Sequence, residues 1–328
     1  MISRRDFILR SMSLLATILK QNISYGNQTS EERRNELLDL HKTRKPKKIN
    51  NRMKVINDGK ETYEIITFPS LVNLPEIPPH PINLEVYCNY DKENPIIMIP
   101  SMLGGISKIE RKIGRYFSNE RFKSVIVGIP VDYNEIILSG IRNIKSEGDV
   151  NKFIENFNKG YEQLILDNLQ VLDWIEENSD NRKGIFGLSF GGIISASVMG
   201  IDERLDSAVL LLTGGNLHKI IAYSNQPEIS KIRKYVLEKL GKDQIWLEKE
   251  LGGRIKLDPM NLTEYIRDEK IMLVTAGNDG VIPTCKELEE RLPDSEKIHL
   301  NGLGHESSVI AWPIVRNGCA EFLRKNLY

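Results

Sequence analysis

The pentapeptide Gly187-Leu188-Ser189-Phe190-Gly191 occurs once in the sequence and combines a reactive side chain with two flexible positions. It follows the apolar residues 184–186 and opens a run of small residues. A serine at a sharp strand-to-helix turn has its hydroxyl raised above the sheet, and the flanking glycines let the two backbones approach closely. The first N–H groups of the following helix favour negative charge on a substrate oxygen. Ser189 is therefore predicted to be a nucleophile; the alternative is a glycine-rich turn with a bystander serine.

A serine nucleophile needs a base that takes its proton and later returns it to the leaving group. The sequence offers five histidines, which are His41, His80, His218, His299 and His305. His299 falls within a predicted strand at 297–300, where the pleat fixes the side chain. His305 follows Gly302-Leu303-Gly304, in a loop between the last predicted strand and the last predicted helix. The alternative for His305 is a surface loop position without a catalytic role.

The third group of such a site is a carboxylate that orients the imidazole and stabilises its cation. Asp279 follows a predicted strand at 270–275 and stands 26 positions before His305. Because Asp279 precedes a glycine, a plain turn residue is its alternative. Asp258 is the rival carboxylate, but Asp258-Pro259 ahead of an apolar-periodic stretch is typical of a helix N-cap. Asp279 is therefore the predicted orienting group.

The elements that must position these residues begin at about residue 61, where apolar runs alternate with amphipathic stretches. Runs rich in β-branched residues, such as 95–100 and 124–129, are typical of strands buried on both faces of a parallel sheet. Apolar residues at helical spacing predict a long helix over 153–177. This alternation indicates an α/β fold with a mostly parallel, doubly wound sheet. The other predicted strands are 62–68, 83–87, 183–188, 208–212, 270–275 and 297–300, and the other helices are 191–200 and 308–325.

The serine turn with its strand and helix, and the later Asp279 and His305, resemble the α/β-hydrolase fold superfamily, in particular its serine esterases and lipases, over residues 61–328. The resemblance implies the chain order Ser, acid, His, which Ser189, Asp279 and His305 follow. It also implies a base on the loop after the last strand, which favours His305 over His299. Gly187 and Gly191 correspond to the glycines of the superfamily's nucleophile elbow.

The resemblance further implies an oxyanion hole made of two backbone N–H groups. One comes from Phe190, directly after the serine. The other comes from the loop after the 95–100 strand, where either Leu103 or Met102 is the donor and Leu103 is favoured. Many superfamily members have His-Gly where this chain has Ser101-Met102. The hole survives this difference because a backbone donor does not depend on its side chain.

Composition excludes several other classes of protein. The 45 basic and 45 acidic side chains give zero formal net charge. The sequence therefore has no excess of positive charge of the kind that attracts nucleic-acid phosphates. The three cysteines are widely spaced and form neither a disulfide framework nor a zinc-binding pair. No uncharged apolar run reaches the length of about 18 residues that a spanning helix needs. We expect no metal, no cofactor and no nucleic-acid partner.

The N-terminal residues 1–26 resemble a twin-arginine export signal, with Ser3-Arg4-Arg5-Asp6-Phe7-Ile8-Leu9 ahead of the apolar stretch 12–19. The resemblance implies export to the periplasm or the extracellular space and the export machinery as a partner. The alternative is a basic amphipathic helix of a cytoplasmic protein. Residues 27–60 are polar and highly charged, and we expect a solvated tether or surface helix rather than core.

Residues 214–268 interrupt the alternation of strands and helices within the predicted 61–328 domain. An insertion of more than 50 residues between two core strands is most simply a cap over the ends of the sheet. Residues 218–249 are predicted to be helical, and the insertion is expected to shape the substrate pocket. Its apolar residues are expected to pack on the core; contact with a lipid or with a partner is the alternative. The oligomeric state is not predicted.

A serine nucleophile with a histidine base favours acyl transfer to water through an acyl-enzyme. Hydrolysis of a small-molecule or lipid-like carboxylic ester is the most economical reaction, and we expect short acyl chains because Met102, Leu103 and Phe190 would line a modest apolar pocket. A peptidase, an acyltransferase or a thioesterase on the same three residues is the alternative. A non-catalytic binding protein with a hydrolase fold is the alternative from another class.

Overall fold

The computed structural model describes residues 28–44, 49, 51–57, 62–71, 79–88, 94–102, 105–128 and 142–328. Its strands in these ranges are β1 (Arg52–Asn57), β2 (Thr62–Pro69), β3 (Pro81–Tyr87), β4 (Ile96–Pro100), β5 (Lys123–Gly128), β6 (Lys183–Leu188), β7 (Ser207–Leu211), β8 (Ile271–Ala276) and β9 (Glu296–Leu300). They form one sheet in the order β1-β2-β3-β5-β4-β6-β7-β8-β9. The pairs from β1 to β5 are antiparallel, and those from β5 to β9 are parallel.

Helices pack on both faces of this sheet. They are α1 (Ser30–Arg44), α2 (Lys108–Asn119), α3 (Glu147–Asn178), α4 (Phe190–Ile201), α5 (Leu217–Tyr223), α6 (Pro227–Leu240), α7 (Gln244–Leu251), α8 (Pro259–Leu262), α9 (Cys285–Arg291), α10 (His305–Ile310) and α11 (Trp312–Leu327). Short 3-10 turns lie at Thr263–Tyr265 and Asp268–Lys270. A membrane-spanning helix is not found in the part of the chain that the structure describes.

The predicted α/β class is confirmed, and β4 illustrates why its sequence makes a central strand. All of its residues are buried. Ile96 and Met98 belong to the core on the side of α3 and α4, whereas Ile97 and Ile99 belong to the core on the side of α2 and α11. Because side chains alternate between the two faces, a strand covered on both sides needs an unbroken apolar run.

The helices differ from the predictions at several points, and α3 begins at Glu147 rather than at 153. The single helix predicted over 308–325 is wrong, because the chain forms α10 and α11 with Ala311 between them. Pro313 lies in the first turn of α11, where its missing N–H removes no helical hydrogen bond. Helix α2 was not predicted. The sequence signal for this helix is a capping box. The side chain of Ser107 accepts a hydrogen bond from a backbone N–H in the first turn, and the carboxylate of Glu110 accepts one from the backbone N–H of Ser107.

The expectation of a solvated tether or surface helix at residues 27–60 is met in part: α1 is a surface helix with three buried residues, and β1 is an exposed edge strand, which was not expected. Leu37 on α1 is fully buried, and the guanidinium of Arg33 forms a two-pronged ion pair with the buried carboxylate of Glu162 on α3. The edge strand β1 pairs with β2 along its whole length. A charged segment joins the fold because its few apolar residues and its arginine fork face buried partners. The export-signal residues 1–26 lie outside the described residues.

The insertion at 214–268 contains α5 to α8 and joins β7 to β8. The carboxylate of Asp258 ties its two ends together, because it accepts hydrogen bonds from the backbone N–H groups of Asn216, Leu217 and Met260. The predicted N-cap role of Asp258 is confirmed. Burial raises the pKa of this carboxyl group, and the three N–H donors oppose that rise.

Candidate functional site

Ser189 lies at the turn between β6 and α4 in a strained backbone conformation. Its φ is 54° and its ψ is −121°, a region that L-residues rarely adopt. Such strain costs on the order of 1–3 kcal/mol and persists only where surrounding contacts hold it. The N–H of Ser189 donates to the carbonyl of Leu211 at 2.9 Å, which attaches the turn to β7.

Glycines flank the serine because neighbouring backbone leaves no room for a side chain. A Cβ on Gly191 would overlap the carbonyl oxygen of Pro100 at the end of β4. A Cβ on Gly187 would overlap the Cα of Gly192 in the first turn of α4. The close approach of strand and helix that the pentapeptide predicts is therefore present.

The side chains of Ser189, His305 and Asp279 form a continuous hydrogen-bonded chain. The Oγ of Ser189 lies 2.9 Å from Nε2 of His305, and Nδ1 of His305 lies 2.8 Å from Oδ2 of Asp279. A carboxylate only accepts hydrogen bonds, so Nδ1 of the imidazole must carry the proton that it donates to Asp279. In the neutral ring Nε2 is then the acceptor for the serine hydroxyl. The three side chains are 116 and 26 positions apart in the chain and meet only in the tertiary structure.

Asp279 is held by its own loop. Its Oδ1 accepts from the backbone N–H groups of Val281 at 2.9 Å and Ile282 at 2.8 Å, which leaves Oδ2 for His305. The side chain of Asp279 is only 2% exposed. Cys285 lies beside it, and burial together with the charge of Asp279 raises the pKa of the thiol. Cys285 therefore remains a neutral thiol, which donates to the carbonyl of Ile282 at 3.0 Å.

Backbone hydrogen bonds join the loop that contains Asp279 to the loop that leads to His305. The N–H of Gly277 donates to Leu300 at 3.2 Å, and the N–H of Asn278 donates to Leu303 at 3.0 Å. His305 was expected in a loop; it is instead the first residue of α10, directly after Gly304. These bonds between the two loops hold the imidazole and the carboxylate in register.

The predicted oxyanion donors have different outcomes. Phe190 is the first residue of α4, so its N–H has no acceptor within that helix. The N–H of Met102 donates to the buried carboxylate of Glu110 at 2.8 Å, so Met102 is not available as an oxyanion donor in this structure. The favoured alternative, Leu103, lies outside the described residues.

Glu110 is a residue of this site that the sequence reasoning missed. One carboxylate oxygen accepts from Met102 on the loop after β4, and the other accepts from the N–H and the hydroxyl of Ser107. The capping-box spacing of Ser107 and Glu110 would have identified the helix start. It would not have revealed the bond back to Met102, which depends on how the loop folds.

The other candidate residues lie elsewhere. His299 is in β9, with its side chain half exposed and Nδ1 at 3.0 Å from Thr275 Oγ1. His80 pairs with Asp167 at 2.7 Å, and His41 lies 3.0 Å from Asp173. His218 is in the first turn of the cap helix α5. Within the described residues, no group of His, Cys, Asp and Glu is arranged to hold a metal ion.

Ser189 also lines a cavity of about 420 Å³ between the core and the cap. Its lining includes Phe153 and Phe157 of α3 and Ile220 of α5. The arrangement thus combines a hydrogen-bonded serine, a helix start that favours negative charge and an adjacent apolar space. Chemically it can deprotonate the serine, stabilise an oxyanion and hold an apolar group.

Comparison with solved structures finds extensive likeness at low sequence identity. Two similar proteins are the acetyl xylan esterase from Paenibacillus sp. R4 (15% identity, TM-score 0.62, 92% of this chain and 96% of that one) and acetyl xylan esterase 1 from Thermoanaerobacterium sp. JW/SL YS485 (15% identity, TM-score 0.59, 88% and 93%). A third is the alpha/beta hydrolase GrgF from Penicillium sp. sh18 (15% identity, TM-score 0.52, 80% and 99%).

No family model and no curated protein matches the sequence. At these identities the likeness concerns the backbone alone. It extends over most of each chain. The chain therefore has the α/β-hydrolase fold, with a helical insertion between β7 and β8.

Proposed function

We propose that this protein is a serine hydrolase that cleaves carboxylic esters through an acyl-enzyme. The observation that carries the proposal is the chain of hydrogen bonds from Ser189 through His305 to Asp279, at 2.9 and 2.8 Å. Nucleophilic acyl transfer needs an imidazole with a buried carboxylate at one ring nitrogen and the serine hydroxyl at the other. Esterases among the similar structures agree with this chemistry.

The reaction begins when Ser189 Oγ attacks the ester carbonyl and its proton passes to His305 Nε2. The carbonyl becomes an oxyanion, which accepts hydrogen bonds from Phe190 N–H and from a second donor, for which Leu103 is our candidate. Asp279 stabilises the imidazolium. Collapse of the tetrahedral intermediate breaks the bond to the alcohol, which takes the proton from His305.

Deacylation repeats these steps with water. His305 takes a proton from the water as the resulting hydroxide adds to the acyl carbonyl, and then returns a proton to Ser189 Oγ as the acid leaves. Glu110 assists indirectly, because it holds the backbone of Met102 next to the candidate donor Leu103. The chemistry requires no group beyond these residues and water.

A fluorophosphonate probe tests the nucleophile. We expect stoichiometric labelling of the wild type and none of Ser189→Ala, while Ser207→Ala, a buried serine in β7 away from the turn, keeps its label. Absence of labelling in folded wild type would refute the proposal and favour the binding-protein alternative. Matched p-nitrophenyl esters, thioesters and p-nitroanilides then separate ester hydrolysis from the thioesterase and peptidase alternatives, and added alcohol acceptors reveal acyl transfer.

We also propose export through the twin-arginine pathway, on the basis of Arg4 and Arg5 ahead of the apolar stretch 12–19. A full-length protein in a bacterial host with this pathway should appear in the periplasm or medium. Replacing both arginines by lysine should retain it in the cytoplasm. Equal cytoplasmic retention of the two forms would favour the cytoplasmic alternative.

A further inference from the structure

The cavity beside Ser189 is walled mostly by apolar side chains from both the core and the cap. Its volume is about 420 Å³. Four helices contribute to its wall. Their apolar lining residues include Phe153, Phe157, Ile193, Ile220, Ile229 and Ile232. Their origin in α3, α4, α5 and α6 means that the space exists only where the cap closes over the core.

Apart from Ser189, the polar side chains of the cavity wall are Ser224, Gln226 and Glu228, and they form hydrogen bonds within the cap. The hydroxyl of Ser224 accepts from the N–H of Gln226 at 3.2 Å. The side-chain oxygen of Gln226 caps α6 by accepting from Ile229 N–H at 2.8 Å, and its amide nitrogen donates to Glu228. A sugar has a hydroxyl on nearly every carbon, and burying hydroxyls without partners is costly. The wall therefore suits a hydrocarbon chain rather than a carbohydrate.

The position of the cavity relative to the reacting groups indicates which side of the ester it receives. Its described lining contains Ser189, Phe190 and Met102 but not His305. The leaving alcohol must lie beside His305, because it takes its proton from Nε2. Because the lining contains Phe190, the proposed oxyanion donor, and not His305, we place the acyl group rather than the alcohol in the cavity.

The size of the cavity indicates the length of the chain. A methylene occupies about as much space as a water molecule in the liquid, roughly 30 Å³. An acetyl group would fill only a small part of the cavity. The space is also larger than the pocket expected from Met102, Leu103 and Phe190 alone, because α5 and α6 extend it.

We infer that this cavity binds the acyl chain of the substrate and selects apolar chains well beyond acetyl, up to roughly fourteen carbons by the same volume argument. The inference rests on the proposed ester hydrolysis and specifies its substrate class. Each methylene that enters the cavity raises kcat/KM by about fourfold, since burying it is favourable by about 0.8 kcal/mol. Chains too long for the cavity gain nothing further.

The first experiment measures kcat/KM for p-nitrophenyl esters from acetate to palmitate, with an acetylated xylo-oligosaccharide as a separate substrate. We expect a rise of at least thirtyfold from acetate to octanoate and no further gain beyond about tetradecanoate. A steady fall from acetate onward, or a preference for the acetylated oligosaccharide over octanoate, would overturn the inference and leave ester hydrolysis intact. Failure to cleave any ester would overturn both.

The second experiment changes the part of the cavity wall that α6 contributes. Ile232 on α6 borders this cavity and also a neighbouring surface cleft, so a larger side chain there shortens the space for a chain. Ile232→Trp should lower the octanoate-to-acetate ratio of kcat/KM at least tenfold, and Ile232→Ala should move the optimum to longer chains. The matched control is Ile245→Trp on α7, a cap residue whose side chain is largely exposed. An unchanged ratio in both Ile232 variants would contradict the inference.

Binding to Ser189→Ala provides a readout without turnover. Calorimetric titration should give a Kd for octanoate at least thirtyfold lower than for acetate, and Ile232→Trp in the same background should reduce that difference. Equal, weak binding of the two acids would argue against an acyl pocket at this position.

Discussion

The corner that contains Ser189, Asp279 and His305 and the cap at 214–268 are built in different ways. In the corner, backbone hydrogen bonds between strand ends and adjacent loops fix the functional groups, as in the bond from Asn278 to Leu303. The cap is joined to the core by separate polar contacts. Asn225 N–H donates to Gly280 O at 2.8 Å, and Ser197 Oγ donates to Leu257 O at 2.9 Å.

Under the proposed function, this difference assigns reactivity to one region and selectivity to the other. Glycines and strand ends fix the positions of the functional groups in the corner. The proposed proton path is therefore the same for every acyl chain. The cap contributes apolar side chains to a cavity, and exchange of one aliphatic residue for another alters shape without disturbing the proton path. The cap also touches the loop of Asp279 through Asn225, which gives it a second route of influence.

The largest effect is expected at the base. His305→Gln should lower kcat/KM for a p-nitrophenyl ester by about 10³-fold or more, because the serine then loses its proton acceptor. The matched control is His299→Gln, a half-exposed histidine in β9, which should remain within about twofold of wild type. Comparable losses in the two variants would contradict the assignment.

The second-largest effect on activity is expected for Asp279→Asn. The amide places a second donor opposite Nδ1 of His305, which favours the wrong tautomer, and we expect kcat to fall by about 10²- to 10⁴-fold with little change in KM. Asp294→Asn, in the loop before β9, serves as control and should be active. Steady-state kinetics on one ester measures both, and a change confined to KM would indicate a binding role instead.

Glu110→Gln tests whether the carboxylate positions the loop after β4. We expect kcat to fall by about tenfold at nearly constant KM, because the substitution displaces the proposed oxyanion donor and leaves binding of the substrate ground state unchanged. Complete removal of such a donor lowers kcat more, by about 10²-fold. Glu120→Gln at the end of α2 is the control, and its side chain is partly exposed beside Arg324. A fall in thermal stability without a change in kcat would show that Glu110 only caps its helix.

The smallest effect on chemistry is expected where the ends of the cap meet. Asp258→Asn turns an acceptor of Asn216, Leu217 and Met260 into a partial donor, which should lower the free energy of unfolding by about 1–3 kcal/mol. Asp243→Asn, an exposed N-cap of α7, should cost less than about 1 kcal/mol. Urea titration measures both. If the acyl-length profile is unchanged as well, the cap keeps its shape despite a weaker attachment.

Much of the fold was predictable because the core strands bury both faces and so require continuous apolar runs. Strand β6 was predicted with the bounds that the structure has, and β4 differs by one residue. The predictions failed where polar sequence becomes buried through long-range partners. Helix α1 packs on α3 through the pair of Arg33 and Glu162, and no local pattern in residues 27–60 indicates that partner.

The sequence by itself determined the turn at Ser189. Gly187 and Gly191 have no Cβ, which a tight turn between a strand and the following helix requires. Through the resemblance to the α/β-hydrolases the sequence also favoured His305 among the five histidines as the proposed base. Only the tertiary structure decided that Nε2 of His305 meets the serine hydroxyl, that Glu110 engages the N–H of Met102, and how much space the cap leaves over Ser189. These features depend on atoms that are distant in the chain, and their separation is fixed by packing between elements rather than by any residue's own preference.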